Sequence, residues 1–202
     1  MRNLQRPGRS PVLATNGMAS TSSPLSTQAA VSVLQNDGNA LDAAIAASAV
    51  QAVVEPQSTS IGGDCFCLYS EAGNDRIIAM NGSGRAPKGL SADWLLQQGI
   101  DEIEQQSPHS VTVPTAIDAW TQLNRDYGTT PLAELLQPAI GYAHDGFPIG
   151  QRVANDFADC YDLLAGDADI ASVYMKNGKN FGYGDLCRNP NLAKTLDAIA
   201  EH

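Results

Sequence analysis

The chain has 202 residues, 43% of them hydrophobic and 17% charged, which is enough to bury a core and fits one domain. Lysine and arginine number 12 against 22 acidic residues, a formal charge of −10 spread along the chain as on a solvated surface. That balance disfavours nucleic acid and anionic membrane as partners, because both call for a basic face.

The opening M-R-N-L-Q-R-P-G-R-S-P-V carries charges but no apolar stretch, so it does not read as a secretory signal, and the first dozen residues are expected to form an irregular arm. Thr21, Ser22 or Ser23 should cap a first helix with Pro24 in its first turn. Ala29, Ala30, Val33 and Leu34 share one face of it, and Gly38 is its expected left-handed stop. Ala40–Val54 predicts a second helix, apolar nearly all round and therefore buried. It is short, and Asp42, Ser48 and Gln51 interrupt it, whereas a membrane span takes about 20 apolar residues. Cys65–Ser70 and Arg76–Met80 read as the strands of a hairpin turning at Glu71-Ala72-Gly73-Asn74-Asp75. Ser91 should cap a short helix ending near Gly99, and Ser110–Val113 reads as a brief strand. Ala116–Tyr127 is a helix burying Ile117, Trp120 and Leu123. Thr130 should cap the next, with Pro131 in its first turn and Glu134 closing a capping box; it runs to His144 and stops at Gly146. Further helices are expected over Arg152–Leu164 and from Leu192 to Glu201. The pattern is α+β, with no internal repeat or low-complexity segment.

The most specific stretch runs from Gly38 to Gly63: G-N-A-L-D-A-A-I-A-A-S-A-V-Q-A-V-V-E-P-Q-S-T-S-I-G-G. An Ala/Val helix leads straight into a polar turn and the Gly62-Gly63 pair, where the backbone is free to bend or to meet a ligand closely. Upstream stand Asn16-Gly17-Met18-Ala19 and Pro24-Leu25-Ser26-Thr27-Gln28-Ala29; downstream stand Asn81-Gly82-Ser83-Gly84-Arg85-Ala86-Pro87, Val113-Pro114, P-L-A-E-L-L-Q-P-A-I-G-Y-A-H-D-G-F-P-I, Gly184-Asp185 and N-P-N-L-A-K-T-L-D-A-I-A-E-H. In order and spacing these blocks resemble the large subunit of the gamma-glutamyltranspeptidase family, whose members are N-terminal-nucleophile amidohydrolases.

The resemblance implies a partial four-layer αββα fold, two sheets between helices, of which this segment supplies helices and a few strands. It implies transfer or hydrolysis of gamma-glutamyl amides such as glutathione. The nucleophile would be a threonine made N-terminal by self-cleavage, its own amine acting as base. That threonine is not in this chain, so the chain alone should be inactive and should need the remaining large-subunit polypeptide and the small subunit as partners. Neither a cofactor nor a metal is implied. The chain stops inside a helix, so residues 1-202 are expected to be one domain from the N-terminal part of a large subunit, apparently truncated. A remnant without catalysis, an assembly subunit and an acylase of beta-lactam or other amides are the alternatives. Without a signal, and with four scattered cysteines, a cytoplasmic protein with reduced thiols is expected.

For substrate binding the resemblance points to the loop at residues 81–87. The family places a carboxylate-binding arginine four residues before the proline matched by Pro87; Ser83 stands there, and the arginine is Arg85. A guanidinium recognises a carboxylate through a planar two-point contact. Gly82 and Gly84 should give the loop unusual backbone paths; Arg85 reads equally as a structural tie.

The remaining candidates read as structural. Thr129-Thr130 precedes a proline and an amphipathic run, so Thr130 is a cap and not a nucleophile. Cys65 and Cys67 face one side of a strand with no histidine pair near, which suits small buried hydrophobes better than metal. His109 precedes a strand, and His144 suits a helix C-terminus. Gly62-Gly63-Asp64 lacks the lysine and threonine of a phosphate loop, and Asp42 and Glu55 read as cap and turn anchors.

Overall fold

The computed structural model describes residues 11–201; the first ten residues of the expected arm and His202 lie outside the described residues. Residues 11–20 hold neither helix nor strand. Helix α1 (Pro24–Gln35) starts on its proline as expected, yet no hydroxyl caps it. Two of those hydroxyls are engaged elsewhere: Thr21 Oγ1 donates to the Ser23 carbonyl at 2.6 Å, and Ser22 Oγ donates to the Glu55 carboxylate. The left-handed residue that ends α1 is Asp37 (φ 64°), not Gly38. Gly38 is needed for closeness instead, because a Cβ there would run into the Val33 side chain while its N–H bonds the Val33 carbonyl at 3.0 Å.

Helix α2 (Ala40–Val54) is buried at every position except Ala40, Ala44, Ser48 and Gln51. Asn39 caps it: its Oδ1 accepts from Leu41 and Asp42 N–H at 2.9 Å, and Asp42 Oδ2 accepts the Asn39 N–H at 3.0 Å. Small side chains let α1 pack on one flank of α2 and α5 (Leu132–Asp145) on another, with α9 (Pro190–Ala200) against α5. Asp42 is fully buried and also ties α2 to the chain before α5, accepting Thr129 N–H at 3.1 Å, Thr129 Oγ1 at 2.6 Å and Thr130 N–H at 3.3 Å. Hence the expected Thr130 cap does not form; Pro131 holds the cap position with no side-chain bond, and Asp42 takes the backbone donors ahead of it. Gly146 does end α5, with φ 101°.

Strands β1 (Cys65–Ser70) and β2 (Ile77–Gly82) form an antiparallel hairpin, Cys65 opposite Gly82 and Ser70 opposite Ile77. Alternation puts Cys65, Cys67, Tyr69, Ile78 and Met80 on the inner face, toward α4 (Ala116–Tyr127). The outer face leaves Phe66, Leu68 and Ile77 at 69%, 78% and 67% exposure. After α3 (Ala92–Gln97), capped by Ser91 and stopped at Gly99 as expected, the brief strand at Ser110–Val113 is replaced by a one-turn 3-10 helix over Pro108–Ser110 and an extended tail. One bond, Val113 N–H to the Arg85 carbonyl at 3.0 Å, is all the ladder the tail makes, and Pro114 offers no further donor.

The single helix expected over Arg152–Leu164 is two, α6 (Gln151–Asp159) and α7 (Tyr161–Ala165), broken at Cys160 (φ −103°, ψ 20°). An additional α8 (Ala168–Tyr174) is capped by Asp167. Two-residue strands complete the fold: β3 (Phe147–Pro148) pairs with β6 (Leu186–Cys187), and β4 (Met175–Lys176) turns through Asn177-Gly178, both at positive φ, into β5 (Lys179–Asn180). Asn189 caps α9 by accepting Leu192 N–H at 3.0 Å, two residues ahead of the expected start. The class is α+β, rich in helix with few strands. Among the described residues no helix is long and apolar enough to cross a membrane.

Candidate functional site

Three segments meet at the open end of the hairpin: the turn at Gly62-Gly63-Asp64, the loop at 82–85 leaving β2, and the chain entering α4. The Gly63 carbonyl accepts from Thr115 and Ala116 N–H at 3.2 and 3.0 Å, and Thr115 Oγ1 donates to the Gly82 carbonyl at 2.6 Å. Asp64 Oδ1 takes the Gly84 N–H at 3.0 Å, and Asn81 Oδ1 takes the Ser83 N–H at 3.1 Å. The glycines serve contact, not the unusual backbone paths expected from the sequence. Neither Gly82 nor Gly84 has positive φ. A Cβ on Gly82 would sit 2.7 Å from Ala119 Cβ and 2.8 Å from the Cys65 carbonyl, and one on Gly84 would overlap the Val113 carbonyl.

This clamp fixes the backbone of Ser83 and Arg85 and leaves both side chains in water. Among the described residues Arg85 makes no ion pair, so its two-pronged donor edge is open to a carboxylate. Neither residue lines any of five surface clefts, of about 470 to 730 Å³, among the described residues. The loop is therefore an exposed rim, able to grip one end of a ligand without enclosing it. Of the residues that hold the rim, Thr115 escaped the sequence reading, while Asp64 and Val113 were singled out there for other reasons and not as its supports.

The other candidates are placed apart. Thr129 and Thr130 are held in mid-chain by Asp42. Glu55 is buried at the end of α2, where it accepts from Ser22 and from Gln51 Nε2, and its carbonyl takes Ser58 and Thr59 N–H. His109 lies edge-on to Trp94, ring centroids 5.6 Å apart, and exposed His144 contacts Asp145 through Nδ1 at 2.8 Å.

The family model described as gamma-glutamyltranspeptidase matches residues 26–202, nearly the whole chain. The chain belongs to the gamma-glutamyltranspeptidase family. It is 35% identical over 191 residues to the glutathione hydrolase-like YwrD proenzyme of Bacillus subtilis, covering 94% of this chain and 36% of that protein. Among solved structures, the gamma-glutamyltranspeptidase of Helicobacter pylori superposes with a TM-score of 0.89 at 28% identity, over 95% of this chain and 56% of that one. A cephalosporin acylase from Bacillus halodurans gives 0.85 at 33% identity, over 98% of this chain and 39% of its own. The chain thus spans roughly a third to a half of these relatives, and its position in the family agrees with the N-terminal part of a large subunit.

Proposed function

We propose that this chain is the N-terminal portion of the large subunit of an amidohydrolase that transfers or hydrolyses gamma-glutamyl amides such as glutathione. The continuous match over residues 26–202 carries the reading. The nucleophile in this proposal is a threonine of the rest of the protein, exposed by self-cleavage and deprotonated by its own amine, so residues 1-202 are one domain without turnover of their own. Arg85 grips the donor's alpha-carboxylate, beside Ser83, and the second subunit closes over the rim. The uncovered face of β1–β2 supports a further sheet stacked there, as the four-layer αββα architecture demands. A cytoplasmic setting belongs to the same proposal, and cell fractionation tests it.

A second reading has its own support. Ser83 stands where the family resemblance puts the carboxylate-binding arginine, and the acylase superposes over almost the whole chain. An acylase acting on amides that carry no alpha-carboxylate would not need that arginine. Assaying the complete protein, with self-cleavage first confirmed by electrophoresis, separates the two. Turnover of a gamma-glutamyl anilide is expected. A cleaved enzyme that ignores it and hydrolyses an acylated beta-lactam amide supports the second reading; one that turns over neither sinks both.

A further inference from the structure

The inner face of the hairpin gathers three sulfur atoms that the substrate reading does not use. Cys65 and Cys67 alternate on β1 and point to the same side, and Met80 is the residue directly opposite Cys67 in the antiparallel register. Residues two apart on a strand lie about 6.8 Å apart, and directly opposed residues bring their Cβ atoms to about 5 Å. All three are half-buried, between the strands and the core to which Trp120 belongs. No single element shows this set: the Cys-x-Cys spacing supplies two donors, and the pairing of β2 supplies the third. Gly82, opposite Cys65, adds no side chain to the face.

We propose that Cys65, Cys67 and Met80 form a binding site for a soft monovalent metal ion, with Cu(I) the ion that fits. Thiolate and thioether sulfur select Cu(I) over the harder divalent ions, which favour nitrogen and oxygen donors. Two thiolates and one thioether give a low-coordinate, all-sulfur set suited to an ion that does not require four ligands. A metal–thiolate bond is about 2.3 Å long, so one ion draws two sulfurs to roughly 4.6 Å, within the reach of side chains two apart on one strand face. Binding has to displace both thiol protons against the effect of burial. Burial raises the affinity of both thiols for their protons; at Cys65 the neighbouring Cys67 adds to this, and the Trp120 indole N–H acts in the opposite sense. Both thiols are therefore protonated at neutral pH. Binding forms two Cu–S(thiolate) bonds and one Cu–S(thioether) contact, releases the two S–H protons to solvent, and transfers no electron. The site lies beneath the Ser83–Arg85 rim, since Cys65 pairs with Gly82 at the same end of the hairpin.

The test titrates Cu(I), without oxygen and against the chromogenic chelator bicinchoninate, into the complete protein. One ion per chain should be withdrawn from the chelator, with two protons released and a sulfur-to-copper absorption in the near ultraviolet. Cys67→Ser should weaken binding 100-fold or more and Met80→Leu about 10-fold, whereas Cys160→Ser should change nothing, because Cys160 is exposed and far along the chain. Circular dichroism establishes that each variant is folded. Met80→Leu conserves volume and keeps the test alive should Cys67→Ser fail to fold. Failure to compete with the chelator, unchanged stoichiometry in a Cys65→Ser/Cys67→Ser double variant, or unchanged affinity in Met80→Leu overturns the three-sulfur site. None of these readouts depends on gamma-glutamyl turnover, so the substrate reading stands or falls separately.

Discussion

The helical region around α2 and the hairpin region around β1–β2 are both rich in apolar side chains, yet they end in opposite states. Helix α2 is covered on nearly every side, and its one charge, Asp42, is saturated by hydrogen-bond donors. The hairpin has one packed face and one that shows Phe66, Leu68 and Ile77 to water. A helix satisfies its own backbone, so burying it takes only neighbouring side chains, and α1 and α5 provide them within this chain. A two-stranded ribbon keeps two open edges and a free face, which call for further strands and another layer. One region is finished by this polypeptide, then, and the other keeps an uncovered face and unpaired edges.

The sharpest way to break the finished region is to remove Asp42. Asp42→Ala strands the Thr129 and Thr130 amides and the Thr129 hydroxyl without an acceptor and opens the α2 capping box. Half-buried donors left without an acceptor and lost charged hydrogen bonds together should cost about 3 kcal/mol, read as a lower urea midpoint at unchanged slope. A loss under about 1 kcal/mol would mean that packing alone, not the carboxylate, joins α2 to α5.

Phe66→Ser sharpens the contrast from the other side. In the isolated chain Phe66 is mostly in water, so stability should move by less than about 0.5 kcal/mol. The isolated chain is expected to self-associate through this face, and light scattering should show the variant associating less. In the complete protein, where a second sheet is proposed to cover the face, the same change should cost about 2–3 kcal/mol. An equally small loss in both would leave the face open to solvent and remove the support for a four-layer stack.

The two regions were also unequally legible in the sequence. The α2 pattern, the cap role of Asp42, the hairpin alternation and the Gly146 stop are local signals, and the structure carries each of them. The α1 and α5 caps did not form as expected: Glu55 draws Ser22, and Asp42 holds the Thr130 amide ahead of a helix whose cap position falls on Pro131. The strand at Ser110–Val113 had β-branched residues but no partner, and a strand is a property of a pair. Asn177-Gly178 was a readable turn signal that the flanking polar residues obscured. At the rim, the motif pointed to Arg85, and the structure leaves its side chain exposed. Its supports were not, since the Asp64 to Gly84 and Val113 to Arg85 bonds join segments distant in sequence.

Arg85 gives the smallest expected effect on stability and the most direct test of the proposed site. Its side chain is exposed and without an ion pair among the described residues, so Arg85→Ala should leave folding and self-cleavage of the complete protein intact. Only when a donor is bound and the second subunit closes over the rim would the guanidinium be desolvated against a carboxylate. Losing a charged partner in such a setting costs about 2 kcal/mol or more, which raises the Michaelis constant for a gamma-glutamyl donor roughly 30-fold. Lysine at the same position should restore only part of the loss, since an ammonium does not reproduce the two-pronged contact. Gly84→Ala makes a useful companion, because it forces the rim off the Val113 carbonyl and should raise the same constant with Arg85 still present. Unchanged kinetics in Arg85→Ala, with Gly84→Ala still harmful, would make the arginine a bystander on a rim whose backbone matters, and would favour a substrate that carries no alpha-carboxylate.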